Sequence, residues 1–310
     1  MLTDSAEVSL STPTSPENAD VQAIGQEASP ERPTLRIQPS RGWAAINLRE
    51  IWQFRDLLLS LAGRDLKLRY KQTALGVIWV VLQPLLAAGV FTFVFGTVAG
   101  LPSGKTPYFL FSYAGLLGWN LFATTLSKSS NCLVGNSPLI SKVFFPRLVL
   151  PLSTVPSALV DFGVALGMMA GLMLIYHVAP TPQLLLLPVW MAVLLMLSLG
   201  IGLCAASLTV SYRDVQYILP VVLNILLYAS PVAYSTATVM KKLAKHGQWL
   251  RTIYLLNPLC APLEAFRWSF LGGDRPPIWP LVYAISAAVV TFVVGAYAFK
   301  RMERKFADVI

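Results

Sequence analysis

Residues 212–234 read YRDVQYILPVVLNILLYASPVAY. An Arg213-Asp214 pair stands at the mouth of about twenty mostly apolar residues, long enough to cross a bilayer hydrocarbon core of ~30 Å as a helix. The charged pair fixes the mouth of the segment in water. Pro220, Asn224 and Pro231 mark its interior as something other than inert filler.

Working outward, the surroundings are of the same kind. The chain has 310 residues, 55% hydrophobic and 13% charged, against ~25% charged in a soluble globular protein. Between Leu75 and Ser235 the charged residues are only seven: Lys105, Lys128, Lys142, Arg147, Asp161, Arg213 and Asp214. Apolar sequence of that extent belongs in lipid, so the chain reads as an all-α integral membrane protein.

Six spans are expected, near Val77–Val98, Tyr108–Leu126, Val149–Tyr176, Leu184–Val210, Val215–Tyr234 and Ile278–Phe299. An even number puts both termini on one side. The segments 41–74, 127–148, 211–214 and 300–310 carry 15 basic residues and the opposite side seven, which makes the richer side cytoplasmic. The net charge of +9 is then topology signal and headgroup contact, not a nucleic-acid footprint.

Residues 1–40 hold Pro13, Pro16, Pro30, Pro33, Pro39 and six acids, with no apolar run. They are expected to form a disordered tail and not a secretion signal, leaving 41–310 as the membrane domain. From Asn47 to Lys71 the pattern is two-faced. Gln53, Asp56, Ser60, Arg64, Lys67 and Lys71 recur at steps of three and four, with Ile51, Phe54, Leu58 and Leu61 opposite. An amphipathic helix lying in the membrane interface is expected, a packed surface helix being the alternative.

The outer loop 235–277 is basic and contains an apolar stretch, Trp249–Leu271, broken by Asn257-Pro258 and Pro262. Each half is too short to span, so two re-entrant half-helices are expected. A seventh span is the rival, and the basic C-terminal run from Lys300 to Lys305 argues against it.

Chemistry-bearing patterns are sparse. Residues 99–106, AGLPSGKT, loosely fit a phosphate loop but lie between two spans, where a Gly/Pro turn is the plain reading. Cys132, Cys204 and Cys260 have no metal spacing. The two histidines, His177 and His246, stand apart, and beyond the 1–40 tail no acid pair recurs at helical spacing, which weighs against a catalytic site. Glu264 and Arg267, one turn apart, read as a salt bridge. Asp161 is the one acid deep in a span, a functional position by default; a polar tie between helices fits it best. No metal site is expected.

The cytoplasmic loop after Asn136 is more telling. Ser137 can cap a helix, Pro138 suits its first position and Pro146 ends it. A two-turn helix over Leu139, Ile140, Ser141, Lys142, Val143, Phe144 and Phe145 is expected, offering apolar residues outside the bilayer to a partner or back to the bundle. Aromatics crowd the outer span ends, among them Tyr113, Trp119, Phe122, Tyr228 and Tyr234. Interfacial belts explain such residues, and stacking on sugar rings is the alternative.

Three segments together resemble the membrane subunit of ABC-2 type polysaccharide exporters, the family that moves O-antigen, capsular polysaccharide or teichoic acid. They are 69–85, RYKQTALGVIWVVLQPL; 136–153, NSPLISKVFFPRLVLPLS; and 211–234, SYRDVQYILPVVLNILLYASPVAY. A weaker match is 256–267, LNPLCAPLEAFR. They occur in family order and cover about 41–310.

The resemblance implies a homodimer in the inner (plasma) membrane. Each copy would dock one of two ATP-binding cassette subunits, which carry ATP and Mg; this chain would bind no cofactor. It implies that 138–145 is the coupling helix, with Leu139, Ile140, Lys142, Val143, Phe144, Phe145 and Arg147 facing the ATPase. Leu148 departs from the family, which often has an acid there, so Arg147 is given no fixed partner. A basic entrance of Arg64, Lys67, Arg69 and Lys71 would suit a lipid diphosphate. The passage aromatics would meet the glycan of a lipid-linked polysaccharide. Rival functions are a permease for a lipid or drug, a membrane-bound glycosyl- or acyltransferase, and an ion channel.

Overall fold

The computed structural model describes residues 48–71, 76–104, 106–244 and 247–303, with backbone alone at 48, 50, 69–71, 76 and 77. The 1–40 tail, Lys105, Lys245, His246 and 304–310 lie outside the described residues. All that is described belongs to one unit, 45–310, and every regular element in it is helical.

Two helices open the unit, α1 (Leu48–Gln53) and α2 (Arg55–Lys71). The first long apolar helix, α3 (Gly76–Phe91), runs into wide π-type turns over Thr92–Val98. Then come α4 (Tyr108–Gly135), the single turn α5 (Ser137–Ile140) and α6 (Val149–Ile175). A 3-10 turn, Pro182–Leu186, leads into α7 (Leu187–Ser211), followed by α8 (Val215–Ala229). Three short helices follow, α9 (Thr236–Leu243), α10 (Gln248–Leu256) and α11 (Cys260–Leu271), before α12 (Ile278–Met302).

Among the described residues five segments are long and apolar enough to cross a membrane: Ile78–Val98, Tyr108–Gly135, Val149–Ile175, Pro182–Ser211 and Ile278–Met302. The expected fifth span falls short. Its helix, α8, ends at Ala229 after 15 residues, roughly 22 Å at ~1.5 Å per residue. Ser230 turns extended (ψ 154°) because Pro231 follows it, and a residue before proline is driven out of the helical region.

The helix α4 is the centre of the bundle. The apolar window within it is 78% buried, against 17% for the window in Ile78–Val98 at the periphery. It carries Tyr113, Leu117, Phe122 and Leu126 into a core shared with Phe162 and Met169 of α6, Leu194 and Leu197 of α7, and Leu263, Phe266 and Phe270 of α11. Buried hydroxyls fold back on their own helices, as Ser129 on Leu126, Ser153 on Leu150 and Thr209 on Ala205. That is how polar side chains are kept satisfied where water is absent.

A second core gathers the other end of the bundle. Leu61 of α2, Cys132 and Leu133 of α4, Phe145, Leu148 and Leu150, Leu203 and Val210 of α7, and Phe299 of α12 pack together. Ile51, Phe54 and Leu58 lie against this cluster, so the apolar stripe read in 47–71 faces the protein. Trp52 and Leu59 remain exposed on other faces. Beside this core α7 and α12 cross backbone to backbone. A Cβ on Gly295 would collide with the Gly200 carbonyl, and one on Gly200 with the backbone of Thr291 and Phe292.

Three sequence expectations are corrected here. Helix α4 runs nine residues beyond Leu126, to Gly135, so Lys128 belongs to a helix and not to a loop. The two-turn helix expected over 139–145 is one turn, Ser137–Ile140. Amide bonds from Ser141 to Ser137 and from Val143 to Leu139 carry it slightly further, but β-branched Val143, two aromatics and the coming Pro146 then favour extended chain. Finally, Pro262 does not interrupt anything. It sits in the first turn of α11, where no intrahelical N–H is needed.

Candidate coupling and translocation site

The loop after α4 is fastened at both ends. Asn136 bonds back to the Cys132 carbonyl and accepts from the Arg64 guanidinium of α2 at 2.6 Å. At the far side the Arg147 guanidinium donates to the Glu303 carbonyl at 2.7 Å, and its backbone N–H meets the Glu303 carboxylate at 3.3 Å. Lys300 pairs with the same carboxylate at 2.8 Å. An acid at the end of α12 thus reaches Arg147, although position 148 has none.

Between these fastenings the loop divides. Phe145 is buried in the second core. Leu139 and Ile140 pack partly against it. Val143 and Phe144 are 49% and 69% exposed, and Ser141 and Lys142 are exposed beside them. The result is an apolar knuckle of two residues on a firmly seated base.

Of the four expected entrance cations, Lys67 is exposed. Arg64 is engaged, bonded to Asp65 at 2.9 Å as well as to Asn136. The side chains of Arg69 and Lys71 lie outside the described residues. Arg213 and Asp214 are exposed in the short turn between α7 and α8, where the Asp214 carbonyl accepts from the Ile218 amide.

In the body of the bundle Asp161 of α6 meets Lys128 of α4 at 3.1 Å, and Lys128 also donates to Ser157 at 3.0 Å. The tie between helices expected for Asp161 is present. Its partner was hidden in the sequence, where Lys128 reads as a loop residue. Next to the pair, a cleft of about 110 Å³ opens between α3, α4 and α6.

At the opposite end the turn after α8 is clamped by Arg267 of α11. This guanidinium is 4% exposed and donates to the carbonyls of Pro231, Val232 (3.0 Å) and Tyr234 (3.2 Å). Its flat face lies 3.9 Å from the ring centre of Phe111. Gly115 makes room: a Cβ there would strike the Val232 carbonyl. The salt bridge expected from Arg267 to Glu264 is therefore replaced by bonds to main-chain oxygens. Tyr108 donates to Ala233, and Asn257 to the Ser230 hydroxyl at 3.0 Å, closing the same turn.

The apolar stretch 249–271 is two helices with a break. Asn257 is extended (ψ 110°) before Pro258. Neither α10, nine residues, nor α11, twelve, has the length of a span. Helix α11 is packed into the main core, whereas Trp249, Ile253 and Leu256 of α10 are exposed.

The five passage aromatics separate. Tyr113, Trp119 and Phe122 are buried in the main core, with the Tyr113 hydroxyl on the Ala165 carbonyl at 3.0 Å. As placed, their rings are closed to a passing sugar. Tyr228 is 61% exposed, and Tyr234 is half-buried with its hydroxyl on the Tyr228 carbonyl. No cluster of His, Cys, Asp or Glu suited to a metal occurs among the described residues.

The site thus combines a multi-span helical bundle with a fastened loop bearing an apolar knuckle at one end and a broken helix pair at the other. The chain belongs to the ABC-2 type transporter family, which it matches over residues 56–271. It is 30% identical over 263 residues to the O-antigen export system permease protein RfbA of Myxococcus xanthus, covering 85% of this chain and 98% of that protein. It is 26% identical to a protein of the same name from Klebsiella pneumoniae, over 82% of this chain and 95% of that one. To the polysialic acid transport protein KpsM of Escherichia coli it is 25% identical, over 77% and 91%.

Proposed function

We propose that this chain is the membrane-spanning permease subunit of an ATP-driven exporter, which moves a lipid-linked polysaccharide from the cytoplasmic to the outer side of the inner (plasma) membrane. The observation that carries the reading is the near end-to-end similarity to an O-antigen export permease, 98% of whose length is covered. ATP and Mg belong to a separate ATP-binding subunit, and this chain does no chemistry of its own.

In this reading two copies of the chain enclose the passage. The outward apolar faces of α3 (Ile78, Leu86, Val90) and α8 (Ile218, Val221, Ile225) support it, since both need a cover of lipid or of a second copy. Helix α8 and the bent segment after it serve as the fifth of six spans, both termini are cytoplasmic, and α10 and α11 dip into the outer leaflet. The knuckle of Val143 and Phe144 seats in the ATPase. Lys67, with Arg64, Arg69 and Lys71, forms the basic entrance for the diphosphate, and Tyr228 and Tyr234 are the passage aromatics open to a glycan.

The test is deletion of the gene, with surface glycan and internal lipid-linked glycan assayed separately. Loss at the surface with build-up of normal polymer inside is expected. Failure to make the polymer would instead indicate a biosynthetic enzyme, and no glycan change would indicate another cargo.

A further inference from the structure

The cleft beside the Lys128–Asp161 pair is polar. It is lined by Gln83 and Pro84 of α3, by Asn120 and Thr124 of α4, and by Asp161 and Phe162 of α6. Asn120, Thr124 and Lys128 stand four residues apart, so one face of α4 bears a polar stripe. Ser157 and Asp161 repeat that spacing on α6. The side chains of Gln83, Asn120 and Thr124 meet no hydrogen-bond partner among the described residues. Pro84 has no N–H to offer the Val80 carbonyl, and Val80 is among the residues lining the cleft.

Gln83 is exposed and Asn120 and Thr124 are half-buried, so all three are open to an occupant of the cleft. Among apolar surroundings, polar groups without a partner in the chain favour a polar occupant. The charge balance says what. Asp161 puts a carboxylate on the wall, while the ammonium of Lys128 is already held by Asp161 and Ser157. An anion is disfavoured, so the diphosphate does not belong here. Amides and a hydroxyl offer donors and acceptors together, which matches neighbouring hydroxyls that each donate and accept. Water alone has the same capacity, and the cleft is open at Gln83, which is exposed, so a larger hydroxylated ligand can enter as well.

We propose that this cleft is an intramembrane subsite for the hydroxyl groups of a neutral sugar ring, held by Gln83, Asn120 and Thr124 with Phe162 as its apolar floor. The proposal rests on the export reading above and locates the sugar away from the buried rings of Tyr113, Trp119 and Phe122.

The experiment uses the full chain assembled with its ATP-binding partner in cells that make the glycan. Asn120→Leu with Thr124→Val keeps the volume and removes the hydrogen bonds. Export is expected to fall about ten-fold, the effect of one or two lost bonds, with subunit level and assembly unchanged and Thr124→Ser close to normal. If the double variant fails to assemble, Gln83→Leu, on the exposed lip, replaces it. A photoreactive benzoylphenylalanine at position 83 supplies the direct readout, a glycan-bearing adduct on irradiation. Normal export by the assembled variant overturns the proposal while leaving the export reading intact. So does an adduct only to a second copy of this chain or to lipid without sugar, and so does a cleft holding water only, with no adduct. If gene deletion leaves the glycan untouched, it is the export reading that falls.

Discussion

Lys128 of α4 and Asp161 of α6 form a 3.1 Å ion pair within the apolar body of the bundle, their side chains 28% and 11% exposed. Removing one partner leaves the other charge badly solvated. Asp161→Leu is expected to destabilise the purified protein toward the low end of the ~3–5 kcal/mol typical of broken buried pairs. Lys128→Met combined with Asp161→Leu should recover most of it. Thermal unfolding in lipid nanodiscs decides. A double variant no more stable than the single one would mean that the pair is not a unit.

Arg267 holds three main-chain oxygens with one planar group. Lysine lacks that fork. Arg267→Lys should therefore lose stability nearly as badly as Arg267→Met, by at least ~2 kcal/mol as carbonyls are left unpaired. Gly115→Ala should weaken the same turn by about 1–3 kcal/mol through overpacking against Val232. Proteolysis within 230–235 would rise in both. An unaltered cleavage pattern would show the clamp to be dispensable.

Val143 and Phe144 are exposed, and their neighbour Phe145 is buried. Val143→Asp with Phe144→Asp should leave the melting temperature within about 1–2 °C, as surface substitutions do, yet abolish co-purification of the ATP-binding subunit and export. Phe145→Asp should lower the melting temperature itself. If association and export both survive the first pair of changes, the knuckle is not the coupling contact.

The crossing of α7 and α12 depends on two absent side chains. Gly295→Leu should cost several kcal/mol, since the new side chain meets the Gly200 carbonyl and no flexible side chain is available to yield. Gly163→Ala on α6, where a Cβ meets nothing within 4 Å, is the control and should be neutral. Equal yields of folded protein from both variants would contradict the packing described.

The sequence makes five of the six expected spans legible because lipid leaves no choice: long apolar runs must be helices. The break at Asn257-Pro258 was legible from proline sterics. Helical periodicity marked the face of Ile51, Phe54 and Leu58 but not its setting: the membrane interface was expected, and these residues pack on the bundle. Within the spans, facing was not legible. The polar residues Asn120, Thr124 and Lys128 mark one face of α4, but nothing in the pattern tells that Tyr113, Trp119 and Phe122 point into the core, because core and lipid are both apolar and the contrast that marks a buried face in water is missing. Long-range partners were equally hidden. Arg267 has Glu264 one turn away in sequence, yet its bonds go to carbonyls more than thirty residues distant. Glu303 lies 156 residues from Arg147. Charges in lipid find partners by geometry, and sequence spacing records only the neighbours on one helix.

The close crossing at Gly200 and Gly295 has a mechanical meaning. Backbones in direct contact cannot slide without lifting apart, so α7 and α12 form a single stiff strut. Glu303, at the foot of that strut, grips Arg147. In the proposed coupling, force delivered to the 136–148 loop would pass through Glu303 to both helices together, instead of being absorbed by one helix bending alone.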